Sequence, residues 1–243
     1  MSDSPKILVM VATYNEMENL PDLVGQIFKF LPQADLLVID DNSPDGTGKW
    51  CQEQQRLNKK INLIVRKEKL GLGTAIIAGM EYSIKNDYDY VINMDADFSH
   101  QSKDLPGMVL CMDLDKNEPK DVIIGSRYAL GGKTDGWPIY RETMSRFICF
   151  YADYILGLGV KDCSGGFRCY RTSLLQKIDL KKVISKGYSF QEEILWRLKN
   201  VGAKFGETPI TFVERKKGKS KINIGEALAT VRIIFMLGFG ILK

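Results

Sequence analysis

The stretch Asp89-Tyr-Val-Ile-Asn-Met-Asp-Ala-Asp-Phe-Ser-His100 decides the fold and locates the chemistry. Its apolar first half predicts a buried strand that runs into two carboxylates, Asp95 and Asp97, separated by one residue. Side chains alternate along an extended chain, so both carboxylates point to the same side, where they can share a hard divalent cation. A solvated acidic loop after a strand gives the same local pattern, so the rest of the sequence must decide.

The composition is that of an ordinary globular chain. The 243 residues, 44% hydrophobic and 26% charged, fit one large domain or two small ones and argue against a disordered or fibrous protein. A net charge of +4 is too small to indicate nucleic acid as a partner. Five cysteines without a Cys-x-x-Cys pair predict reduced thiols in a cytosolic compartment. The first residues lack the pattern of a signal peptide, so we expect no export.

Apolar runs alternate with helix-spaced segments in the first hundred residues. The predicted strands are 6–13, 35–40, 61–66 and 88–95, and the predicted helices are 18–31, 47–57 and 70–83. This series predicts an α/β fold with a Rossmann-like, mostly parallel sheet flanked by helices. Polar residues follow the first, second and fourth strands, so they should converge on one crevice at the carboxyl ends of the strands.

The second half of the chain alternates less regularly. We predict strands at 121–125, within 162–170 and at 204–214, the last an edge strand because it carries Pro209, and helices at 103–114, 138–156, 188–200 and 224–242. Glu192 and Glu193 lie in an amphipathic helical pattern, so we expect them on the surface or facing the sheet rather than in a binding site. We assign residues 1–223 to a catalytic domain and 224–243 to a C-terminal apolar helix.

Gly71 and Gly73 form part of a dinucleotide-binding fingerprint between a predicted strand and a predicted helix. The third glycine is missing, because Ile76 stands in its place, and this argues against a Rossmann dehydrogenase. The two glycines can instead form a tight turn or bring the backbone close to a ligand.

Seven motifs in this order resemble those of the inverting family 2 glycosyltransferases and, within them, the dolichyl-phosphate or polyprenyl-phosphate mannosyltransferases. They are Thr13-Tyr-Asn-Glu-Met-Glu-Asn-Leu20, Ile39-Asp-Asp-Asn-Ser-Pro-Asp-Gly-Thr47, Gly71-Leu-Gly-Thr-Ala75, Asp95-Ala-Asp-Phe-Ser-His100, Gly125-Ser-Arg-Tyr128, Ser164-Gly-Gly-Phe-Arg168 and Glu214-Arg-Lys-Lys-Gly-Lys-Ser-Lys221. The resemblance implies a GT-A fold, a Mg or Mn cation, and transfer of mannose from GDP-mannose to a dolichyl or polyprenyl phosphate. It also implies a membrane surface as the place of work and a possible membrane-anchoring subunit.

The resemblance also assigns roles by position. The implied donor-binding residues are Ala12, Tyr14, Glu16, Ile39, Asp41, Asp95, Ala96, Asp97, Arg127, Arg215 and Lys221. The implied metal ligands are Asp95, Asp97 and Ser99, and the acceptor-phosphate set is Arg127, Arg141 and Ser145. Asp97 and Arg127 are the implied catalytic residues. Ala12 stands where the family commonly has proline, and Ser99 stands where some relatives have a glutamine that contacts the metal.

His100 is the single histidine and lies beside the two carboxylates, but we do not expect it to be a catalytic base. A phosphate monoester has a second pKa of about 6, so it is already largely a dianion at neutral pH. The enzyme must then align the nucleophile and stabilise the departing diphosphate.

Three other functions remain open at this point. A polyprenyl-phosphate glucosyltransferase or another nucleotide-sugar transferase would use the same sheet and carboxylates. A non-catalytic nucleotide-sugar-binding subunit would keep the fold. A Mg-dependent phosphohydrolase would place its Asp-x-Asp pair after the first strand instead.

The terminal apolar run, 227–242, has sixteen residues and contains Arg232, whereas a spanning helix needs about 20 largely uncharged residues. Five of the seven residues from Arg215 to Lys221 are basic. A basic loop followed by an apolar helix can lie in the membrane interface. We therefore expect a peripheral protein on the cytoplasmic side of a membrane, although the helix could instead pack on the catalytic domain or on a dimer partner.

Overall fold

A computed structural model describes residues 4–214 and 224–242. The strands are β1 (Ile7–Thr13), β2 (Asp35–Asp40), β3 (Ile61–Val65), β4 (Tyr90–Asp95), β5 (Val122–Ser126), β6 (Lys133–Asp135), β7 (Arg168–Arg171), β8 (Phe205–Pro209) and β9 (Thr211–Val213). The helices are α1 (Leu20–Phe30), α2 (Thr47–Leu57), α3 (Leu72–Lys85), α4 (Leu105–Met112), α5 (Ile139–Leu156), α6 (Thr172–Leu175), α7 (Phe190–Asn200) and α8 (Ile224–Gly238).

In the described part of the chain, seven strands form one sheet in the order β3-β2-β1-β4-β7-β5-β8. The first four strands along the chain are mutually parallel, and β8 is parallel to β5. β7 is antiparallel to both of its neighbours, β4 and β5. The predicted α/β class and mostly parallel sheet are confirmed.

Both faces of the sheet are covered, which explains the continuous apolar runs of its strands. Alternation along β1 sends Leu8 and Met10 to one face and Val9 and Val11 to the other. The first pair lies in the hydrophobic cluster that includes buried residues of α3, α5 and α7, and the second pair lies in the cluster that includes α1 and α4.

The predicted strand 204–214 is two strands, because the chain changes sheets at Ile210. β8 lies at the edge of the main sheet, as Pro209 predicted, whereas β9 pairs with β6 in a separate two-stranded sheet. The Ile210 N–H donates to the Ser126 carbonyl over 3.0 Å, and the Lys133 N–H donates to the Ile210 carbonyl over 3.0 Å. The β6–β9 pair therefore continues from the carboxyl end of β5.

The surface location considered for Glu192 and Glu193 is wrong, because both side chains are buried in the first turn of α7. The Glu193 carboxylate accepts the backbone N–H groups of Ile184 and Ser185 and pairs with Arg197 one turn later. Backbone donors and a cation thus satisfy a carboxylate that the amphipathic pattern assigned to solvent or to the sheet.

Gly71 and Gly73 serve a close approach between two segments of backbone. A Cβ added at Gly71 would lie 2.5 Å from the Lys186 carbonyl oxygen, and one at Gly73 would lie 2.7 Å from the Ser185 carbonyl oxygen. The φ angle of Gly71 is +104°, which other residues rarely adopt. The two glycines therefore allow the loop before α7 to pack against the backbone at the start of α3.

α8 packs on α5 and α7 through a narrow face. Thr230, Ile234 and Leu237 are buried, whereas Phe235 and Phe239 are exposed. Across residues 4–214 and 224–242, none of the helices combines the length and apolar character that crossing a bilayer requires.

Candidate active site

Three of the predicted donor-binding residues form a row across neighbouring strands. Ala12 of β1 pairs with Ile39 of β2 on one side and with Asp95 of β4 on the other. Strands lie about 4.8 Å apart in a sheet, so the row spans about 10 Å. The carboxyl ends of β1, β2 and β4 thus bring these side chains to one edge, as predicted.

The loop after β1 is fixed by the loop after β2. The Asn15 N–H donates to Ser43 Oγ over 3.0 Å, and the Glu16 N–H donates to Thr47 Oγ1 over 3.2 Å. Asn15 has a φ angle of 60°, in the left-handed region, and it turns the chain between Tyr14 and Glu16. The Tyr14 ring is partly exposed and carries the Lys69 ammonium 3.9 Å from its centroid.

Asp41 forms an ion pair with Arg66, which follows the last residue of β3. The Arg66 Nε donates to Asp41 Oδ1 over 2.5 Å, and Nη1 donates to Thr74 Oγ1 over 2.6 Å. Arg66 was missed from the sequence, although its place directly after a strand repeats the pattern of Asp41. This pair extends the row of site residues to the end of β3.

The carboxylate of Asp95 is partly exposed at the end of β4, with 37% of its side chain accessible. Ala96 is buried, and the chain then turns at Phe98, whose φ of 61° is unusual for a bulky residue. The turn places the Ser99 N–H 3.1 Å from Asp97 Oδ1, and the Ser99 hydroxyl also donates to that atom. Ser99 therefore holds the Asp97 carboxylate.

These oxygen atoms fit a hard divalent cation, because carboxylates and hydroxyls are the ligands that Mg²⁺ and Mn²⁺ prefer. Among the residues that the structure covers, His, Cys, Asp and Glu form no group of three or more able to hold a metal. Two carboxylates alone would leave coordination positions for ligands from a nucleotide.

His100 is buried and accepts a hydrogen bond at Nδ1 from the Asp95 backbone N–H over 3.1 Å. Its ring stacks on Phe167, with centroids 4.9 Å apart, and meets the edge of Phe212. Burial lowers the pKa of His100. The Asp95 carboxylate lies 3.8 Å from the same nitrogen, but an Nδ1 that accepts a hydrogen bond carries no proton, so the ring is neutral.

Arg127 is buried in a two-point ion pair with Asp162. Its Nε and Nη2 donate to the two carboxylate oxygens over 2.7 and 2.6 Å, and its backbone N–H donates to the same group. Burial alone would raise the pKa of Asp162, but the charge and hydrogen bonds of Arg127 lower it below its usual value. Nη2 also donates to Ser164 Oγ over 2.7 Å.

Arg141 and Ser145 lie one turn apart on α5, as predicted, but each has protein partners. Arg141 Nη1 donates to Glu214 Oε2 over 2.6 Å, and its guanidinium lies 4.1 Å from the centroid of the Trp137 ring. Ser145 accepts from the Tyr128 hydroxyl over 2.8 Å and lies 3.4 Å from Ser164 Oγ. Ser164 thus links the helix that carries Ser145 to Arg127.

The segment Ser164-Gly-Gly166 joins the two sides of the site. A Cβ added at Gly166 would lie 3.8 Å from Asp95 Oδ1, and one added at Gly165 would lie 3.3 Å from Asp162 Oδ1. These two glycines, which we call the glycine floor, therefore lie between Asp95 at the end of β4 and the side chains of Arg127, directly after β5, and Ser145 of α5.

Glu192 lies buried near this floor. Burial raises the pKa of its carboxyl group to about 8, so the group is mostly protonated at neutral pH. Arg215 and Lys221, implied donor-binding residues, lie outside the described residues.

Residues 8–179 match the family described as Glycosyl transferase family 2. The chain is 40% identical over 229 residues to an undecaprenyl-phosphate mannosyltransferase of Micrococcus luteus, covering 93% of this chain and 92% of that protein. It is 41% identical over 230 residues to a polyprenol monophosphomannose synthase of Mycolicibacterium smegmatis, covering 93% of this chain and 85% of that protein.

Among solved structures, the chain is similar to glucosyl-3-phosphoglycerate synthase from Mycobacterium tuberculosis, solved in complex with Mn²⁺, uridine diphosphate and glucosyl-3-phosphoglycerate. The TM-score is 0.64 at 16% identity, and the match covers 98% of this chain and 80% of that chain. At this identity the similarity concerns the fold, which is GT-A.

Proposed function

Because the chain belongs to glycosyl transferase family 2, we propose that this glycosyltransferase moves mannose from GDP-mannose to a dolichyl or polyprenyl phosphate, with inversion at the sugar carbon. The names of the two relatives support mannose and a polyprenyl phosphate as the sugar and the acceptor. The observation that carries the proposal is the glycine floor, which has carboxylates at one end and arginine and serine groups at the other.

The carboxylate end would take the donor. Asp97 and Asp95 would hold a Mg²⁺ or Mn²⁺ ion, and Ser99 would act through its hydrogen bonds to Asp97. When bound, the cation supplies charge neutralisation for the departing diphosphate. The nucleoside would lie along the row from Ile39 and Asp41 to Ala12, against the loop that carries Tyr14 and Glu16.

The other end of the floor would take the acceptor phosphate. Arg141, Ser145 and Arg127 are the proposed binding residues, and Ser164 joins the last two through its hydroxyl. A phosphate dianion is itself the nucleophile, so the neutral, buried His100 is compatible with a reaction that needs no protein base. Arg127 would act from a fixed position, because its guanidinium donates two hydrogen bonds to the Asp162 carboxylate.

We also propose that the enzyme works at a membrane surface as a peripheral protein, on the cytoplasmic side, with or without an anchoring subunit. The helices α5 and α8 pack against each other, and the support is the set of exposed aromatic residues on and directly after them: Phe147, Phe150, Tyr154, Phe235 and Phe239. Aromatic and aliphatic side chains on interfacial helices partition into the boundary between headgroups and acyl chains. A lipid acceptor would then meet the end of the floor nearest α5.

A direct assay tests this function. The protein in detergent, with Mg²⁺ or Mn²⁺ and a short polyprenyl phosphate, is mixed with radiolabelled GDP-mannose, UDP-glucose or UDP-N-acetylglucosamine. We expect label in the lipid product only with GDP-mannose, and none when the cation is chelated. Transfer from a UDP-sugar would support the glucosyltransferase alternative, and binding without transfer would support the non-catalytic one.

A further inference from the structure

The ion pair between Arg141 and Glu214 is held by one hydrogen bond. Arg141 Nη1 donates to Glu214 Oε2 over 2.6 Å, and the two side chains are 11% and 29% accessible. Within residues 4–214 and 224–242, the buried Nε of Arg141 has no acceptor. Arginine and a carboxylate frequently form two parallel hydrogen bonds, so this contact satisfies only part of the guanidinium.

Arg127, the other arginine of the proposed acceptor set, is bound more completely. Its guanidinium and its backbone N–H together donate three hydrogen bonds to Asp162, whose side chain is inaccessible. An anion that drew Arg127 away would leave the Asp162 carboxylate buried without its cation, which is strongly unfavourable. Arg141 is therefore the arginine of this set that can exchange its partner.

The backbone at Glu214 stays fixed when its side chain moves. The Glu214 N–H donates to the Asp135 carbonyl over 2.8 Å, and the Val213 N–H donates to the Ser99 carbonyl over 3.1 Å. The Glu214 carboxylate is partly accessible, so water can hydrate it once the contact with Arg141 is broken. Release of the carboxylate thus requires a change of side-chain rotamer and leaves the β6–β9 pair intact.

The guanidinium of Arg141 has a second support that does not depend on Glu214. It lies 4.1 Å from the centroid of the Trp137 ring, and this ring meets the edge of Phe212 of β9. A cation–π contact is made to the face of a ring and needs no acceptor atom. Departure of Glu214 would therefore leave Arg141 in place, with a donor group available to another anion.

A phosphate monoester is well suited to replace the carboxylate. It carries a charge of about −1.5 to −2 at pH 7 and three acceptor oxygens, whereas the Glu214 carboxylate carries one negative charge and two oxygens. A lipid phosphate also gains binding energy from its chain. Small free anions lack that chain, so a resident carboxylate hinders them more effectively.

We propose that Glu214 is a displaceable counter-ion of Arg141. It pairs with the guanidinium in the free protein, and the acceptor phosphate binds by taking its place. This inference rests on the proposed function for the acceptor, a lipid phosphate. Glu214 would weaken the binding of the acceptor phosphate and would hinder free phosphate from occupying the same arginine.

The test measures equilibrium binding of a radiolabelled short polyprenyl phosphate to the protein in detergent. Glu214→Gln should bind it about fivefold more tightly, because the phosphate no longer competes with a partly exposed ion pair. Competition by inorganic phosphate should become stronger by a similar factor. Glu142→Gln is the control, since it removes the same charge one residue after Arg141, from a pair with Arg146. It should change either affinity less than twofold.

Weaker binding by Glu214→Gln would overturn the proposal, because it would mean that Glu214 holds Arg141 in the position that the phosphate needs. Unchanged affinity would overturn it as well. An equal gain from Glu142→Gln would also do so, since it would indicate a general effect of charge. If Glu214→Gln does not fold, Glu214→Asp decides: it keeps the charge but shortens the side chain by one methylene group, and tighter binding is again expected.

The proposed function and this inference fail separately. If the wild-type protein does not bind polyprenyl phosphate, the proposed acceptor is wrong. Binding of inorganic phosphate, measured by calorimetry, then takes its place. The comparison of the wild-type protein with the Glu214 and Glu142 variants still decides whether Glu214 competes for Arg141.

Discussion

The Nδ1 atom of His100 accepts a hydrogen bond from the backbone N–H of Asp95, the first carboxylate of the site. This nitrogen therefore carries no proton, and the ring is enclosed by Phe167 and Phe212. The histidine supports the turn that carries the carboxylates, and its lone pair is already engaged.

We therefore expect His100→Asn to keep catalysis, because an asparagine oxygen can accept the same backbone N–H. Transfer should fall less than about tenfold, and the pH dependence of kcat between pH 6 and 9 should keep its shape. The measurement is the initial rate of lipid product at saturating donor. Disappearance of one limb of the pH profile would instead identify His100 as a base.

Asp162→Asn should destabilise the fold strongly, because it leaves the guanidinium of Arg127 buried beside a neutral partner. Removal of one member of a buried ion pair costs about 3–5 kcal/mol. Glu142→Gln is the matched control, since it breaks the more exposed pair with Arg146 and should cost less than about 1 kcal/mol. Free energies of unfolding from urea titration compare the two variants, and equal losses would contradict this account.

Asp97→Asn should lower transfer by about 100-fold or more while the fold persists, because the leaving diphosphate loses its charge neutralisation. Ser99→Ala should cost less, since Ser99 orients Asp97 through its hydroxyl and backbone N–H. Rates measured against Mn²⁺ concentration, with circular dichroism to monitor folding, separate the two variants. Near wild-type turnover by Asp97→Asn would reject the metal assignment.

Arg215 and Lys221 are expected to clamp the donor diphosphate. Their alanine variants should each bind GDP-mannose about tenfold more weakly in detergent solution, where no membrane is present, because a charge-assisted contact is lost. Lys59→Ala and Lys177→Ala remove the same charge from exposed positions elsewhere and should have no effect. Unchanged donor affinity for the Arg215 and Lys221 variants would favour a solvated or phospholipid-binding loop.

The membrane contact is best tested with substitutions, because removal of α8 would uncover the side chains on which Ile234 and Leu237 pack. Phe235→Ser with Phe239→Ser should weaken cosedimentation with anionic liposomes several-fold, through loss of exposed aromatic area. Leu57→Ser changes an even more exposed apolar residue, on α2, and should not weaken cosedimentation. Equal binding by all three proteins would reject α8 as the contact.

The sequence was sufficient where the parallel pairing of strands determines the geometry. Asp95 and Ala12 could be placed together because parallel strands bring their carboxyl ends to one edge. The partner of Arg127 could not be predicted, since Asp162 lies 35 residues further along, in an irregular loop that only the tertiary fold brings to β5. Its place two residues before the Ser164-Gly-Gly motif was the available signal.

The burial of the polar residues at the start of α7 also could not be predicted from the hydrophobic periodicity of the sequence. The amphipathic pattern assigned Glu192 and Glu193 to the surface or to the sheet, yet both are buried together with the apolar residues of the helix. The spacing of four residues between Glu193 and Arg197 was a signal that the two side chains can form an ion pair within the helix, which allows both charges to be buried.

The antiparallel β7 has a consequence for the order in which the chain can assemble. β5 touches only β7 and β8 in the main sheet, and both follow it along the chain, so this strand has no place to pair when it leaves the ribosome. The four parallel strands before it can associate by then. β7 is made later and joins β5 to these strands, because it pairs with both β4 and β5. Such long-range pairing is slow and leaves strand edges open during synthesis. The two halves of the crevice therefore become one only when β7 arrives, so a nascent chain shorter than about 170 residues holds the donor carboxylates without the floor that completes them.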